Sequence, residues 1–356
     1  MKVLITGICG FVGSTLAREL RAWRENVEVI GIDNFSRHGS RHNLDPLRAE
    51  GIDARHGDVR HPADLEACGE VDWLIDAAAN PSVLAGVDGK TGPAELFDHN
   101  LVGTLPMLEF CRTADIPFTL LSTSRVYSIA ALQQIHLREA ESMFHPVNAA
   151  QPTGLAPGGL TESFSTDPPL SLYGTSKRCA ELLALEYSAT FGFPAWINRC
   201  GVLAGASQFG KPDQGIIAYW IHSWAARAPL RYLGFGGHGW QTRDCLHPRD
   251  LVPLLWKQFD HGTAPGKPRL ANLSGGQANA FSLATLSAWC AKHIGPHSVI
   301  ADGADRPFDL PWVVLDHSLA SNAWDWHPQT TAEAIFAEIA AFAKTHPDWL
   351  ALSRGD

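Results

Sequence analysis

The chain has 356 residues and a formal net charge of −9, with 45% hydrophobic and 18% charged residues and a sequence pI of about 5.9. That length buries about three quarters of the unfolded surface, enough for one large domain and a smaller lobe. The acidic balance argues against a general binder of nucleic acid or anionic membranes, so phosphate has to be met by local sites.

The chain opens Met-Lys-Val-Leu-Ile-Thr and reaches Gly7 too soon for a signal peptide. It contains no apolar run long enough for a membrane span. The seven cysteines are scattered with no Cys-x-x-Cys pair and read as free thiols of a cytoplasmic protein. The 16 histidines show no ligand spacing, so no metal site is expected.

Lys2–Thr6 reads as a buried parallel strand. It enters Gly7-Ile8-Cys9-Gly10-Phe11-Val12-Gly13, followed by a helical stretch with Leu16, Ala17 and Leu20 on one face. Val27–Ile32 then ends in Asp33. Strand, glycine turn, helix, strand and acid make a dinucleotide site. Gly7, Gly10 and Gly13 allow a tight bend and close approach of a pyrophosphate. The helix start at Phe11 and Val12 offers free amides and about half a positive charge. Asp33 can accept hydrogen bonds from an adenosine ribose and would repel a 2′-phosphate, which favours NAD over NADP. Arg37 weakens that preference, and Asn34 and Ser36 beside it are expected at the cofactor.

Strands continue to alternate with helical stretches. Ile52–His56 leads to Asp58 and Val59, and Trp73–Ile75 leads through Asp76 to Ala77, Ala78, Ala79 and Asn80. Residues 94–114 carry helical periodicity and include Asn100. Phe118–Leu121 runs into Ser122-Thr123-Ser124-Arg125, and Ala195–Ile197 forms a sixth strand. The predicted class is α/β, a doubly wound parallel sheet of Rossmann type with a smaller C-terminal α+β lobe. The NAD-binding domain is expected over 1–200 and a mainly substrate-binding lobe over 201–356, with parts returning to the first domain. Residues 128–170, rich in Pro and Gly, interrupt the rhythm and read as a lid or substrate-facing excursion, with a solvated insertion of no consequence as the alternative. Residues 331–345 form an amphipathic helix.

Tyr173 and Lys177 sit four apart in Ser-Leu-Tyr-Gly-Thr-Ser-Lys, on one helical face. A free phenol titrates near pH 10, so making it a base at neutral pH takes about 4 kcal/mol of anion stabilisation. The lysine ammonium is the expected source.

Together these residues resemble the extended short-chain dehydrogenase/reductase family of nucleotide-sugar enzymes. The glycine turn, Asp33, Asp58, Ala77–Asn80, Asn100, Ser122-Thr123, Tyr173, Lys177 and Gln241-Thr242-Arg243-Asp244 occur in that family's order. The resemblance implies bound NAD and a working set of Thr123, Tyr173 and Lys177. In it Tyr173 exchanges the hydroxyl proton, Thr123 orients the oxygen, and Lys177 lowers the tyrosine pKa and bonds the nicotinamide ribose. Asn80 lies beside them on the substrate side. Arg243 matches the family's phosphate-binding arginine, and Arg306 is a second candidate. The resemblance further implies a nucleotide-sugar substrate and a helix-mediated homodimer.

Sugar-nucleotide 4,6-dehydratases carry Asp and Glu where this chain has Ser124 and Arg125, so their elimination machinery is missing. Ser207–Gly215 and Trp324–Pro328 are similar to the CDP-paratose 2-epimerase branch, with Gln208 and Gln214 as sugar or base readers. Ser124-Arg125 departs from that branch's amide and lysine, and Val202-Leu203-Ala204-Gly205 replaces the common Asn-Val-Tyr-Gly. The expected reaction is NAD-dependent inversion at C2 of a CDP-sugar. A 4-epimerase of UDP-glucose type and a non-catalytic NAD-binding sensor or scaffold are the alternatives.

Overall fold

The computed structural model describes residues 1–87, 89, 91–305 and 307–354, the last of these without its side chain. Seven strands form the central sheet: β1 (Lys2–Thr6), β2 (Glu28–Asp33), β3 (Asp53–His56), β4 (Trp73–Asp76), β5 (Phe118–Thr123), β6 (Ala195–Cys200) and β7 (Leu270–Leu273). Their spatial order is β7-β6-β5-β4-β1-β2-β3, and every neighbouring pair is parallel. The order reverses between β1 and β4. That reversal opens a crevice at the carboxyl ends of the strands, where ligands of such sheets bind.

Alternate strand residues feed two apolar layers, as the pleat requires. Val3 and Ile5 pack with Leu16 and Leu20 of α1 (Phe11–Trp23). Leu4 faces the other way, into Leu108 and Cys111 of α2 (Thr104–Ala114) and Ala180 of α3 (Leu172–Phe191). Between the helix Pro93–Phe97 and α2, the backbone makes a π-helical turn over Asp98–Val102. This irregularity, of a kind common at functional sites, carries Asn100.

The second lobe is built on α4 (Ile216–Ala225) and a small sheet centred on Thr242–Leu246. Trp220, Ile221 and Trp224 pack there on Ile335, Phe336 and Ile339. Chain order and space part company here: β7 and the helix α5 (Val252–His261) return to the first layer, where Leu254, Leu255 and Trp256 are buried.

The 128–170 excursion is folded, and it corrects the expectation of a substrate-facing lid. It forms the hairpins Leu137–Ala140/Met143–Pro146 and Leu155–Ala156/Gly159–Leu160, and none of its residues lines the crevice. Leu160 bridges to Leu315, and Leu160 and Phe164 bury with Tyr127, Trp312 and Val314 in their own apolar cluster. All seven cysteines are free, six of them buried. Among the described residues no helix is long and apolar enough to cross a membrane.

A buried ion pair ties β5, β6 and α3 together. Glu181 accepts from Arg199 at 2.9 and 2.7 Å and from Ser122 Oγ at 2.6 Å. Arg199 also reaches Tyr127 Oη at 3.3 Å, and Tyr127 donates to Asn272 at 2.7 Å. Breaking one side of such a pair strands the other charge in a water-poor interior. Arg199→Met should therefore lower unfolding stability by about 3–5 kcal/mol, read as a shifted urea midpoint at an unchanged slope.

Candidate active site

The crevice is a cleft of about 670 Å3 between the sheet's carboxyl edge and the second lobe. One end is the glycine turn. Gly7 has φ +66°, and a Cβ there would press on the Ala77–Ala78 backbone at 2.9–3.0 Å. A Cβ on Gly13 would sit 2.2 Å from the Gly7 carbonyl oxygen. Both positions need glycine for the turn to close on itself. α1 starts at Gly10 with no side-chain cap and no acid in its first turn, so its leading amides stay available to an anion. Gly7, Gly10, Phe11, Val12 and Gly13 all line the cleft.

Asp33 closes β2 beside this turn. Its carboxylate accepts from the amides of Cys9 at 3.0 Å and Phe35 at 2.8 Å. Burial pushes its pKa up, and those amides with that of Gly10 oppose the rise. Asn34, Ser36, Asp58, Val59, Ala77, Ala78 and Ala79 continue the wall. Asp58 is clamped by Arg60 at 2.9 and 2.7 Å and by Asn34 at 3.1 Å. The Arg60 guanidinium holds its carboxyl well below the usual range.

Asn100 does not line the cleft. It stands one layer behind, with Oδ1 accepting from the Asn80 amide at 2.8 Å and Nδ2 donating to Asn80 O and Ser176 Oγ at 3.0 and 3.2 Å. It therefore locks the Asn80 corner to the helix that carries Tyr173 and Lys177.

That helix, α3, is capped by Ser171, whose Oγ accepts from Gly174 N at 3.0 Å. Its buried stripe runs Tyr173, Ser176, Lys177, Ala180, Glu181, Ala184, the spacing of one helical face. Thr123 ends β5, bonds Tyr173, and accepts from Arg125 N at 3.2 Å. Gly174 lets the 124–126 turn dock: a Cβ there would lie 2.2 Å from Arg125 O. Thr123, Ser124, Arg125, Tyr173 and Lys177 thus share one wall.

The electrostatics differ from the sequence expectation. Burial pushes the Tyr173 phenol up to about 12, opposed by the Thr123 hydrogen bond and then the Arg125 charge. Lys177 is not among the groups that oppose the rise. Burial lowers its own pKa, and the charges facing it are Asp76 and Glu181. The spacing puts the two side chains on one face, but the ammonium answers to carboxylates on β4 and on the next turn of α3.

The second lobe closes the other side. Gln208, Gln214 and Arg243 line the cleft, as does Asn80 across from them. Arg243 donates to Thr242 O at 2.7 Å and Leu310 O at 2.8 Å, with Asp309 3.6 Å away. Gln208 Nε2 donates to Leu203 O at 2.9 Å. Arg37 reaches across to Gln214 and to the Phe209 carbonyl, and Ser82 Oγ donates to Asp213 at 2.7 Å. Phe209 stacks on Trp349, ring centroids 4.8 Å apart. Residues 208–214 therefore form a strap tied to both rims, and Arg37 is committed to it. Arg306 lies outside the described residues. The sequence reading passed over Asp76 and Glu181, although a lone acid closing the apolar run Trp73-Leu74-Ile75 and an acid four residues beyond Lys177 were visible signals.

The glycine cradle, the uncapped helix start, Asp33 and the long cleft leading to Tyr173 and Lys177 fit a nicotinamide dinucleotide. Comparison with known proteins agrees. Residues 3–274 match the model of the NAD dependent epimerase/dehydratase family. The chain is 29% identical to CDP-paratose 2-epimerase of Salmonella typhi over 94% of this chain and 96% of that one. It is 23% identical to dTDP-glucose 4,6-dehydratase 1 of Escherichia coli (strain K12) over 98% and 94%. Among solved structures, UDP-glucose 4-epimerase from Bifidobacterium longum in complex with NAD+ and UDP superposes with a TM-score of 0.77 at 21% identity, covering 98% of this chain and 100% of that one. UDP-glucuronic acid 4-epimerase from Bacillus cereus, in complex with UDP-glucuronic acid and NAD, gives 0.74 at 23%, covering 97% and 99%. The chain belongs to the NAD-dependent epimerase/dehydratase family, and its cofactor is NAD.

Proposed function

We propose that this protein is a nucleotide-sugar epimerase that inverts C2 of a CDP-sugar through a transient 2-keto sugar. The observation that carries the reading is the wall around Tyr173. It presents Thr123, Ser124 and Arg125 rather than an acid–base carboxyl pair, in the same cleft as Gln208 and Gln214. The 29% identity to a CDP-paratose 2-epimerase supports the choice of carbon and base. Retention of both Tyr173 and Lys177 in one cleft counts against a non-catalytic sensor or scaffold.

NAD, when bound, supplies the acceptor and then the donor of one hydride. The chain's residues do the rest. Tyr173 takes the C2 hydroxyl proton as the carbonyl forms and returns it after the sugar has turned. Thr123 orients that oxygen and stabilises the phenolate. Lys177 contributes an ammonium at the nicotinamide ribose. Arg243 is assigned to the diphosphate, which a guanidinium fork suits, and Asn80, Ser124, Arg125, Gln208 and Gln214 to the sugar and base. We read 1–200 as the NAD-binding domain and 201–356 as mainly the substrate lobe. We place the protein in the cytoplasm on its free, mostly buried thiols.

Incubation with CDP-, UDP-, GDP- and dTDP-sugars, followed by NMR, should show inversion at C2 of a CDP-sugar. In D2O the product should keep its original C2 hydrogen. Deuterium at C2 would point to deprotonation chemistry instead, and inversion at C4 of a UDP-sugar would favour the alternative epimerase.

Tyr173→Phe should lower turnover by about 10²–10⁴-fold with NAD still bound. Thr123→Val tests the phenolate. The Thr123 hydrogen bond favours the anion, so its loss raises the tyrosine pKa further, and the rising limb of the kcat–pH profile should move to higher pH. An unmoved limb would remove Thr123 from this role.

A homodimer through α2 and α3 is also proposed. The two helices pack side by side, and Leu105 and Leu182 on them are 38% and 52% exposed. Leu182→Glu should convert a dimer to a monomer by light scattering. A monomeric wild type would dismiss the interface.

A further inference from the structure

Gln208 and Gln214 are assigned to sugar and base, but that chemistry does not call for the way the strap between them is fastened. Phe209, Pro212, Asp213 and Gln214 line the cleft, as do Arg37 and Leu84 on the two loops the strap joins. Those loops leave the carboxyl ends of β2 and β4. The first begins at Asp33, where the adenosine ribose is expected, so the strap is tied to the adenosine end of the cleft.

The tip is a tight turn in which Lys211 N donates to Gln214 O at 2.6 Å and Gln214 N donates back to Lys211 O at 3.1 Å. That turn presents Asp213 to Ser82 Oγ at 2.7 Å and Gln214 Oε1 to the Arg37 guanidinium. A second nitrogen of Arg37 donates to the Phe209 carbonyl. The base is held by the Phe209 ring, 3% exposed. One neighbour of this ring is Gly39, where a Cβ would lie 2.6 Å from it. Another is Trp349 of the short terminal helix Trp349–Arg354, stacked at 17° with centroids 4.8 Å apart. Trp349 Nε1 also donates to Gln208 O at 3.1 Å, across 141 positions of chain. Left-handed residues flank the strap, Ser207 at φ +61° and Gly215 at φ +68°. Loop positions of this kind can absorb a hinge rotation. The fastenings at tip and base use side chains, so releasing them unpairs no strand of the central sheet.

We propose that residues 208–214 are a latch on the cofactor, fastened by Arg37 and Ser82 at the tip and by Trp349 at the base, and that NAD leaves only when the latch swings open on Ser207 and Gly215. Arg37 and Trp349 are positioning residues that act on NAD through the strap. The inference rests on NAD as the cofactor and not on which sugar carbon is inverted.

The test is exchange of bound NAD for 14C-labelled NAD in the NAD-loaded full chain, read by rapid filtration with no sugar present. Trp349 is not among the residues lining the cleft, so its effect on exchange has to pass through the strap. Trp349→Ala removes one hydrogen bond and one aromatic contact and should speed exchange by about tenfold. Arg37→Met should also speed it, and adding Gln214→Leu to Arg37→Met should change little more, because both undo the same fastening. Faster exchange in Arg37→Met with none in Trp349→Ala would mean that Arg37 holds NAD directly, and would overturn the proposal. The reverse experiment closes the latch covalently. Ser82→Cys with Asp213→Cys replaces two side chains that meet at 2.7 Å. Loaded with NAD, oxidised and checked by intact mass, this protein should hold its cofactor without exchange, and reduction should restore exchange. Exchange at the wild-type rate from the cross-linked protein would overturn the latch, whether or not the Trp349 variant folds. Failure to invert any sugar would refute the proposed function and leave these exchange rates untouched.

Discussion

An amine and a phenol held out of water set the terms for the rest of the cleft. Lys177 is 3% and Tyr173 7% exposed. Burial alone would make both neutral, the amine by losing its proton and the phenol by keeping it. A proton-transfer site needs the opposite tendency on both. Thr123 and Arg125 supply it at the phenol, and Asp76 and Glu181 at the amine. The surroundings follow from that need. Ser171 caps α3 to fix the first turn, Gly174 lets the Arg125 turn dock, and Asn100 pins the helix to the Asn80 corner. The Glu181–Arg199 pair anchors the same helix to β6 from behind.

The parallel sheet explains why so many distant residues meet there. Strands that run the same way deliver their last residues to one edge, and the reversal between β1 and β4 leaves that edge open. Asp33, Asp76, Thr123 and Cys200 are each the final residue of a strand. The second lobe then closes over this edge through the strap at 208–214, tied by Arg37 and Ser82. An arginine four residues past Asp33 invites reading as a 2′-phosphate contact. Its commitment to Gln214 and Phe209 takes that role away and agrees with NAD.

What could be read from the sequence was what short spacing encodes. The glycine turn, Asp33 and the Tyr173–Lys177 pair are local patterns whose meaning depends on one turn or one helix face, and the structure places them together. The strand ends were legible because apolar runs stop abruptly at polar residues. What could not be read depends on partners far along the chain. Arg37 and Gln214 are 177 positions apart, and Tyr127 and Asn272 are 145. The excursion looked like a lid because Pro and Gly mark loops, whereas Leu160 and Phe164 bury it under Trp312 and Val314. The lysine's effect on Tyr173 failed for a similar reason. An i, i+4 spacing fixes where two side chains start, not where a four-carbon stem ends, and the largest charge acting on Lys177 belongs to Asp76, a strand end 101 residues earlier.

The sign of the charge next to Tyr173 bears on which member of the family this chain resembles in chemistry. Dehydratase relatives align at 23% identity over nearly the whole length, so the fold cannot separate elimination from epimerisation. The residues beside Thr123 bear on that choice. Loss of water across two carbons needs a base to take a carbon-bound proton and an acid to protonate the departing hydroxyl. Ser124 is a poor candidate for either at neutral pH, and a guanidinium keeps its protons at any pH a protein survives. Arg125 donates to Phe308 O at 3.3 Å and, with its charge near the phenol, favours negative charge on oxygen. That environment suits a site where the only proton to move belongs to a hydroxyl and the carbon–hydrogen bond is broken by hydride transfer.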